Sequence, residues 1–178
     1  MNILYDYQIF NLQKYGGISR YFYELISRVL KSEYIKTSLF MGYHINEYGL
    51  ENYKKDFFYF YGQQRIAIPR TVRITNLLNY CYFNLFSSKQ DHTILHSTYY
   101  GNTLLKQNII KIVTVYDMIH ELFPSYFGLN DKTTQKKEFC FKNYQGFICI
   151  SNSTKRDLLE RYDIKENAIQ VIYLANSL

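Results

Sequence analysis

The stretch Tyr15-Gly16-Gly17-Ile18-Ser19-Arg20 decides how the rest of the chain is read. It follows an apolar opening segment, Ile3-Leu4-Tyr5-Asp6-Tyr7. It precedes a stretch in which Ile18, Phe22, Leu25, Ile26, Val29 and Leu30 recur on one helical face. A strand, a glycine turn and a helix N-terminus in that order turn backbone N–H groups toward an anion. Two readings stand at this point. One is a loop for a phosphate or sugar-nucleotide; the other is a tight turn that needs glycine for its backbone angles. The third glycine of the dinucleotide fingerprint is missing, which argues against a dinucleotide-binding oxidoreductase domain.

Outward from that loop, apolar strands alternate with periodic helices. Strands are expected at 2–7, 36–42 (closed by Gly42), 57–61 (ending at Gly62), 93–96, 109–116, 146–150 and 168–174. Helices are expected at 18–31, from Pro69 to about Phe86, at 131–144 and at 153–162. The apolar positions of the second helix include Val72, Leu77, Leu78, Cys81 and Leu85. Residues 43–56 show no clear period, and there is no internal repeat or linker. Such alternation implies right-handed βαβ units: an α/β, Rossmann-like three-layer sandwich with a mainly parallel sheet of about seven strands. Ligands of such sheets collect beyond the carboxyl ends of the strands. The residues there are Gly16 and Gly17, then His96 and Ser97, then Tyr116 and Asp117, then Ser151 to Lys155. All of them are expected to converge on one edge of the sheet.

At 178 residues the chain is expected to form one domain with a sizeable core. It has no apolar run of about eighteen residues, so no membrane-spanning helix is expected. The first residues lack the basic and apolar regions of a signal peptide. Cys81, Cys140 and Cys149 are odd in number and form no CxxC pair, which suits reduced, buried thiols in a cytosolic protein. The net charge of +6 points to an anionic partner: nucleic acid, phosphorylated substrate or membrane surface. Between Phe57 and Gln90 lie Arg65, Arg70, Arg73 and Lys89 and no acidic residue, interleaved with aromatics. That segment suits a headgroup interface and equally a packed core with a solvated basic face.

Asp117-Met118-Ile119-His120-Glu121 is the densest ionisable cluster at any strand end. A carboxylate and an imidazole three positions apart on one helical turn could orient a hydroxyl or move a proton. Asp117 equally suits the cap of a short helix ending before Pro124. Proline stands where a zinc-protease motif needs its second histidine. His92 and His96 flank a strand, a spacing that makes no compact metal site, and His44 is remote. His96 suits either a pocket or a hydrogen-bonded structural position. In Ser151-Asn152-Ser153-Thr154-Lys155-Arg156-Asp157, Thr154 and Asp157 fit a capping box, while the hydroxyls and Lys155 also suit an anion or sugar. No nucleophile elbow and no phosphate-binding P-loop occurs.

Taken in order, these pieces resemble the N-terminal half of a family 4 glycosyltransferase of the GT-B fold. The matching residues are Gly16-Gly17-Ile18-Ser19-Arg20, His96-Ser97-Thr98, Val113 to Pro124, Ile148 to Leu158 and Ile169 to Tyr173. The resemblance implies an acceptor-side domain of a retaining enzyme that needs no metal or other cofactor. Its partner domain, expected beyond this chain, would hold the nucleotide-sugar donor, so the isolated 178 residues are expected to be inactive. Gly16 and Gly17 would approach the donor diphosphate and the acceptor, with Arg20 steadying that charge. Tyr116, Asp117 and His120 would lie near the reacting sugar. His96, Ser97, Glu121, Ser151 and Lys155 would complete the substrate-binding set. Many relatives carry histidine where this chain has Tyr116 and proline where it has His120.

The implied acceptor is a saccharide, free or on a lipid diphosphate, in bacterial surface-polysaccharide synthesis of the O-antigen or capsule type. The implied location is cytoplasmic, peripheral on the inner face of the plasma membrane; the basic, aromatic composition of residues 57–90 motivates the membrane part, with that segment toward anionic lipid. In the isolated chain the Tyr15–Arg20 loop is expected to be exposed and mobile. The rival reading is a non-catalytic glycan- or partner-binding module of the same fold. Nucleic acid is not an expected partner, because no recognised motif or dense basic run is present.

Overall fold

A computed structural model describes residues 1–66, 71–88, 93–101, 103, 105, 109–128 and 131–175. Pro69 as a helix opener, Arg70, Lys89 and His92 lie outside the described residues. The chain forms two compact units, Met1–Thr98 with Thr103–Ile109, and Tyr99–Asn102 with Ile110–Leu178.

The first unit has strands β1 (Asn2–Tyr5), β2 (Lys36–His44), β3 (Tyr59–Gln64) and β4 (Ile94–Ser97), in the order β3-β2-β1-β4. Each pairing is parallel, and Tyr5 sits between Leu39 of β2 and His96 of β4. Its helices are α1 (Gln8–Leu12), α2 (Gly17–Val29) and α3 (Val72–Ser88). The apolar stripe of α2 buries Phe22 and Ile26 as its period requires. Leu4, Phe40, Phe83, Leu95 and Ile109 form one core cluster. Burying each side chain of this size contributes about 1.5–3 kcal/mol.

The second unit has β5 (Ile110–Val115), β6 (Gly146–Cys149) and β7 (Ile169–Val171), parallel and in that order. Its helices are α4 (Ile119–Leu122), α5 (Thr133–Asn143) and α6 (Asn152–Arg161). Val113, Val115, Cys140, Phe141, Phe147, Cys149 and Leu158 belong to its core. Parallel strands interspersed with helices, four in the first unit and three in the second, make the fold α/β and Rossmann-like, as the hydrophobic pattern predicts.

Several local expectations are corrected. Gly42 does not end β2. The strand runs on to His44 through a register shift between Phe40 and Gly42, and Gly42 holds the left-handed φ of 62° that a bulge requires. Asn79 of α3 fills the gap: its Oδ1 accepts the Tyr43 N–H at 2.8 Å, and its Nδ2 donates to the Tyr43 carbonyl at 3.1 Å. β3 likewise continues through Gly62 to Gln64. The short α1 has no counterpart among the expected elements, being too brief to show a period.

The facing of α3 is reversed. Thr75, Asn79, Phe83 and Ser87 are buried, and the expected inward set Val72, Leu77, Leu78, Cys81 and Leu85 is exposed. The reason is Asn79, whose two hydrogen bonds to β2 fix the rotation of the helix. Cys81 is therefore an exposed thiol, whereas Cys140 and Cys149 are buried as expected.

At α6 the cap is Ser151, three residues before the expected Thr154. Its Oγ accepts the Thr154 N–H at 3.0 Å, and the Thr154 hydroxyl lies 2.9 Å from Ser151 Oγ rather than on the cap backbone, so this single cap replaces the expected box of Thr154 with Asp157.

Candidate functional site

In the first unit the carboxyl ends of β1 and β4 are joined by Asp6. Its carboxylate is fully buried and accepts from Ser97 Oγ (2.9 Å), Thr98 N (2.9 Å), Thr98 Oγ1 (2.6 Å) and Gln8 Nε2 (3.1 Å). Burial pushes this carboxyl above its ordinary range; the Thr98, Ser97 and Gln8 donors pull the other way without cancelling it. Thr98 Oγ1 in turn accepts the Ile9 N–H at 3.1 Å, which seats α1. Ser97 is thus buried with its hydroxyl on Asp6. His96 is buried against the rings of Tyr5 and Phe22, with centroids at 5.5 and 5.2 Å. That burial lowers its pKa to about 3, so the imidazole is neutral in the fold.

α1 delivers the chain to the glycine loop, where α2 begins. The first turn of a helix leaves its amides without intrahelical partners. Here Ser19 N donates to Gln13 Oε1 at 3.1 Å and Arg20 N to the Gly16 carbonyl at 2.9 Å. Gly17 and Ile18 N–H have no acceptor among the described residues. Gly16 is extended, with φ 174°, so no special backbone angle demands glycine there. A Cβ on Gly16 would collide with the Gln13 side-chain amide, the group that caps Ser19. A Cβ on Gly17 would meet nothing within 4 Å. Arg20 is exposed on the next turn.

The loop is exposed at Tyr15 and Gly17, as expected, yet it is tied down. Asn46 Nδ2 donates to the Gln13 carbonyl at 2.9 Å, Tyr15 OH to Glu47 at 2.9 Å, and Tyr48 OH to the Gly16 carbonyl at 3.4 Å. These ties come from the turn that follows β2.

In the second unit the segment after β5 is organised by Lys137 of α5, which the sequence reading passed over. Its side chain is 1% exposed. Its Nζ donates to the Asp117 carbonyl (2.8 Å), Asp117 Oδ1 (3.2 Å) and Glu121 Oε2 (3.0 Å), and lies 5.3 Å from the Tyr100 ring centroid. Tyr100 OH also accepts the Tyr116 N–H at 3.3 Å. The signal for Lys137 was present: it shares a helical stripe with Cys140 and Phe141, both buried.

Asp117 Oδ1 accepts the Ile119 N–H at 3.1 Å, a bond to the second residue on; the N-cap of α4 is Met118, which has no side-chain cap bond, so the expected cap role of Asp117 is corrected to a turn that leads into the helix. Its side chain remains 42% exposed. Glu121 is nearly buried, and its Oε1 has no partner among the described residues. His120 turns away from Asp117. Its Nε2 lies 3.4 Å from Asp131 Oδ2, and its ring stacks on Phe127 at 3.8 Å. The expected Asp117–His120 pairing on one turn is therefore replaced by Asp117 and Glu121 sharing a buried ammonium. Beyond the neighbouring β6, Ser151 caps α6 and Lys155 Nζ reaches Glu166 Oε1 at 2.7 Å. Chemically, the β5 end presents two carboxylates for one lysine, an arrangement suited to accepting hydrogen bonds from hydroxyls.

No family model matches the chain, and no curated protein sequence matches it. Among solved structures it is similar to the lipopolysaccharide outer core galactosyltransferase WaaB in its apo form, with a TM-score of 0.59 and 12% identity. The likeness covers 99% of this chain and 46% of that one. The chain thus spans about half the length of the structure it matches, and the likeness at this identity is one of fold.

Proposed function

We propose that this chain is the acceptor-side half of a retaining, metal-independent glycosyltransferase. It moves a sugar from a nucleotide-sugar to a saccharide or lipid-linked saccharide in bacterial surface-polysaccharide synthesis. The observation that carries the reading is the fold likeness, along 99% of the chain, to half of a galactosyltransferase that works on lipopolysaccharide.

Within that reading the residues divide the work. The Gly17 and Ile18 amides at the start of α2 take the donor diphosphate, and the open space at Gly17 lets it come close. Arg20 adds positive charge beside it. The leaving phosphate then gains its negative charge against fixed dipoles. Glu121 Oε1 and the exposed edge of Asp117 accept hydrogen bonds from acceptor hydroxyls, with Lys137 holding both carboxylates in place. Tyr116 and His120 border the acceptor. Ser151 and Lys155 stand at the adjoining strand end, and His96 and Ser97 keep the β4 end rigid.

The test is transfer of labelled sugar by the full-length protein, donor half included, from a panel of nucleotide-sugars to polysaccharide precursors in envelope membranes, with and without a chelator. Incorporation that survives the chelator supports the proposal. Loss of incorporation with the chelator removes the metal-independent part, and none from any donor removes the transferase.

A further inference from the structure

The outer face of α3 is apolar where a surface helix is normally polar. Ile74, Leu77 and Leu85 are 64%, 63% and 58% exposed. With Leu78 and Cys81 they recur at i, i+3, i+4, i+7 and i+11, one continuous stripe. Tyr80 and Tyr82, also exposed, flank it. The opposite stripe, Thr75, Asn79, Phe83 and Ser87, faces the unit. An amphipathic surface helix normally turns its apolar stripe to the core; α3 turns its mainly polar stripe inward and leaves the apolar one uncovered.

The facing is not adjustable. Asn79 holds both backbone groups of Tyr43 at the Gly42 bulge, and Asn11 Nδ2 donates to Asn76 Oδ1 from α1. Turning the aliphatic stripe inward would break the Asn79 bonds and leave Tyr43 unpaired, so the polar stripe stays in and the leucines stay out.

Charge decides what covers them. Arg73 is the one charged residue of α3 and is exposed. From Phe57 to Gln90 the sequence has four basic residues and no acidic one, with Arg70 and Lys89 on either side of the helix in sequence. A second copy packed about a two-fold axis would set like charge against like. An anionic bilayer offers the complement, and tyrosines beside an aliphatic stripe suit its interfacial zone. No helix among the described residues is long and apolar enough to cross a membrane, so the contact is one of lying on the surface.

We propose that the Ile74-Leu77-Leu78-Cys81-Leu85 face of α3 is a docking surface that inserts into the headgroup region of an anionic lipid bilayer. The inference goes beyond the transferase reading and stands without it.

Cys81 lies in the middle of the stripe and is the exposed one of the three thiols, so it can carry a polarity-sensitive fluorophore. The full-length protein labelled there is mixed with vesicles of equal parts phosphatidylglycerol and phosphatidylcholine, and with phosphatidylcholine alone. The expected result is a blue shift with the anionic vesicles that fades as salt is raised. Flotation of unlabelled protein should agree. Leu77→Gln with Leu85→Gln should weaken binding at least tenfold while leaving the unfolding midpoint unchanged, since both side chains are exposed. Arg73→Gln should weaken it about fivefold. Absence of any shift or flotation at low salt overturns the proposal. So does binding that ignores the glutamine pair. A protein that stays off the vesicles but dimerises through this face, as shown by sedimentation of wild type and variant, also overturns it, in favour of a second copy.

Discussion

Lys137 Nζ lies 3.0 Å from Glu121 Oε2 and 2.8 Å from the Asp117 carbonyl, so one buried ammonium fixes both the end of β5 and the short helix that follows. Removing one partner of a buried ion pair strands the other. Lys137→Met should cost about 3–5 kcal/mol of folding stability, and Lys137→Met with Glu121→Leu should recover most of it. Urea denaturation of the single and double variants measures both. Equal losses in the two would mean that Lys137 acts by packing alone.

Asn79 should matter more than its residue type suggests. Asn79→Ala removes the acceptor and the donor that serve Tyr43, and the expected loss is about 2–4 kcal/mol. Gly42→Ala should lose about 1–2 kcal/mol to the left-handed backbone and more to the collision with Asn79. Thermal unfolding compares them with Leu77→Gln, which should be near neutral.

The two loop glycines should separate. Gly16→Ala must displace Gln13 from Ser19 N and should lower stability by about 1 kcal/mol. Gly17→Ala meets no protein atom and should keep or slightly raise stability, because alanine favours a helix by about 1 kcal/mol over glycine. If Gly17 serves a ligand, the same change should raise the donor KM about tenfold. An unchanged KM would remove Gly17 from the site.

Acid should weaken the first unit through His96. Its folded pKa of about 3 lies below the ordinary 6.5, so between those values the unfolded chain binds the extra proton. This contribution is therefore complete above pH 6.5 and is lost as the pH falls toward 3. The slope approaches about 1.4 kcal/mol per pH unit. Denaturant midpoints across that range check it, and His96→Gln should flatten the dependence.

The sequence carried the architecture because the strands and α2 follow plain periods. It misread α3 because that helix holds two candidate stripes. Hydrophobicity favours Leu77, Leu78 and Leu85, whereas the Asn79 bonds favour the other, and a side-chain bond to a bulge leaves no mark in a periodic pattern. The bulge itself was read as a strand end for the same reason, since a glycine terminates and bends alike. In the candidate site, Asp117 and Glu121 were visible as a cluster. The stripe Lys137, Cys140 and Phe141 marks Lys137 as inward-facing, but only tertiary packing pairs it with Glu121, sixteen residues earlier.

The most direct test of the transferase reading is acceptor kinetics with Glu121→Gln in the full-length protein. Glutamine keeps the volume and one acceptor for Lys137. It replaces the other carboxylate oxygen with an amide that cannot accept a hydroxyl's hydrogen bond. The account predicts transfer of labelled sugar with the donor KM unchanged and the acceptor KM raised about tenfold, the loss of one hydrogen bond to a charged group. Transfer with both KM values at wild-type level, or no transfer by the wild-type protein itself, would contradict it.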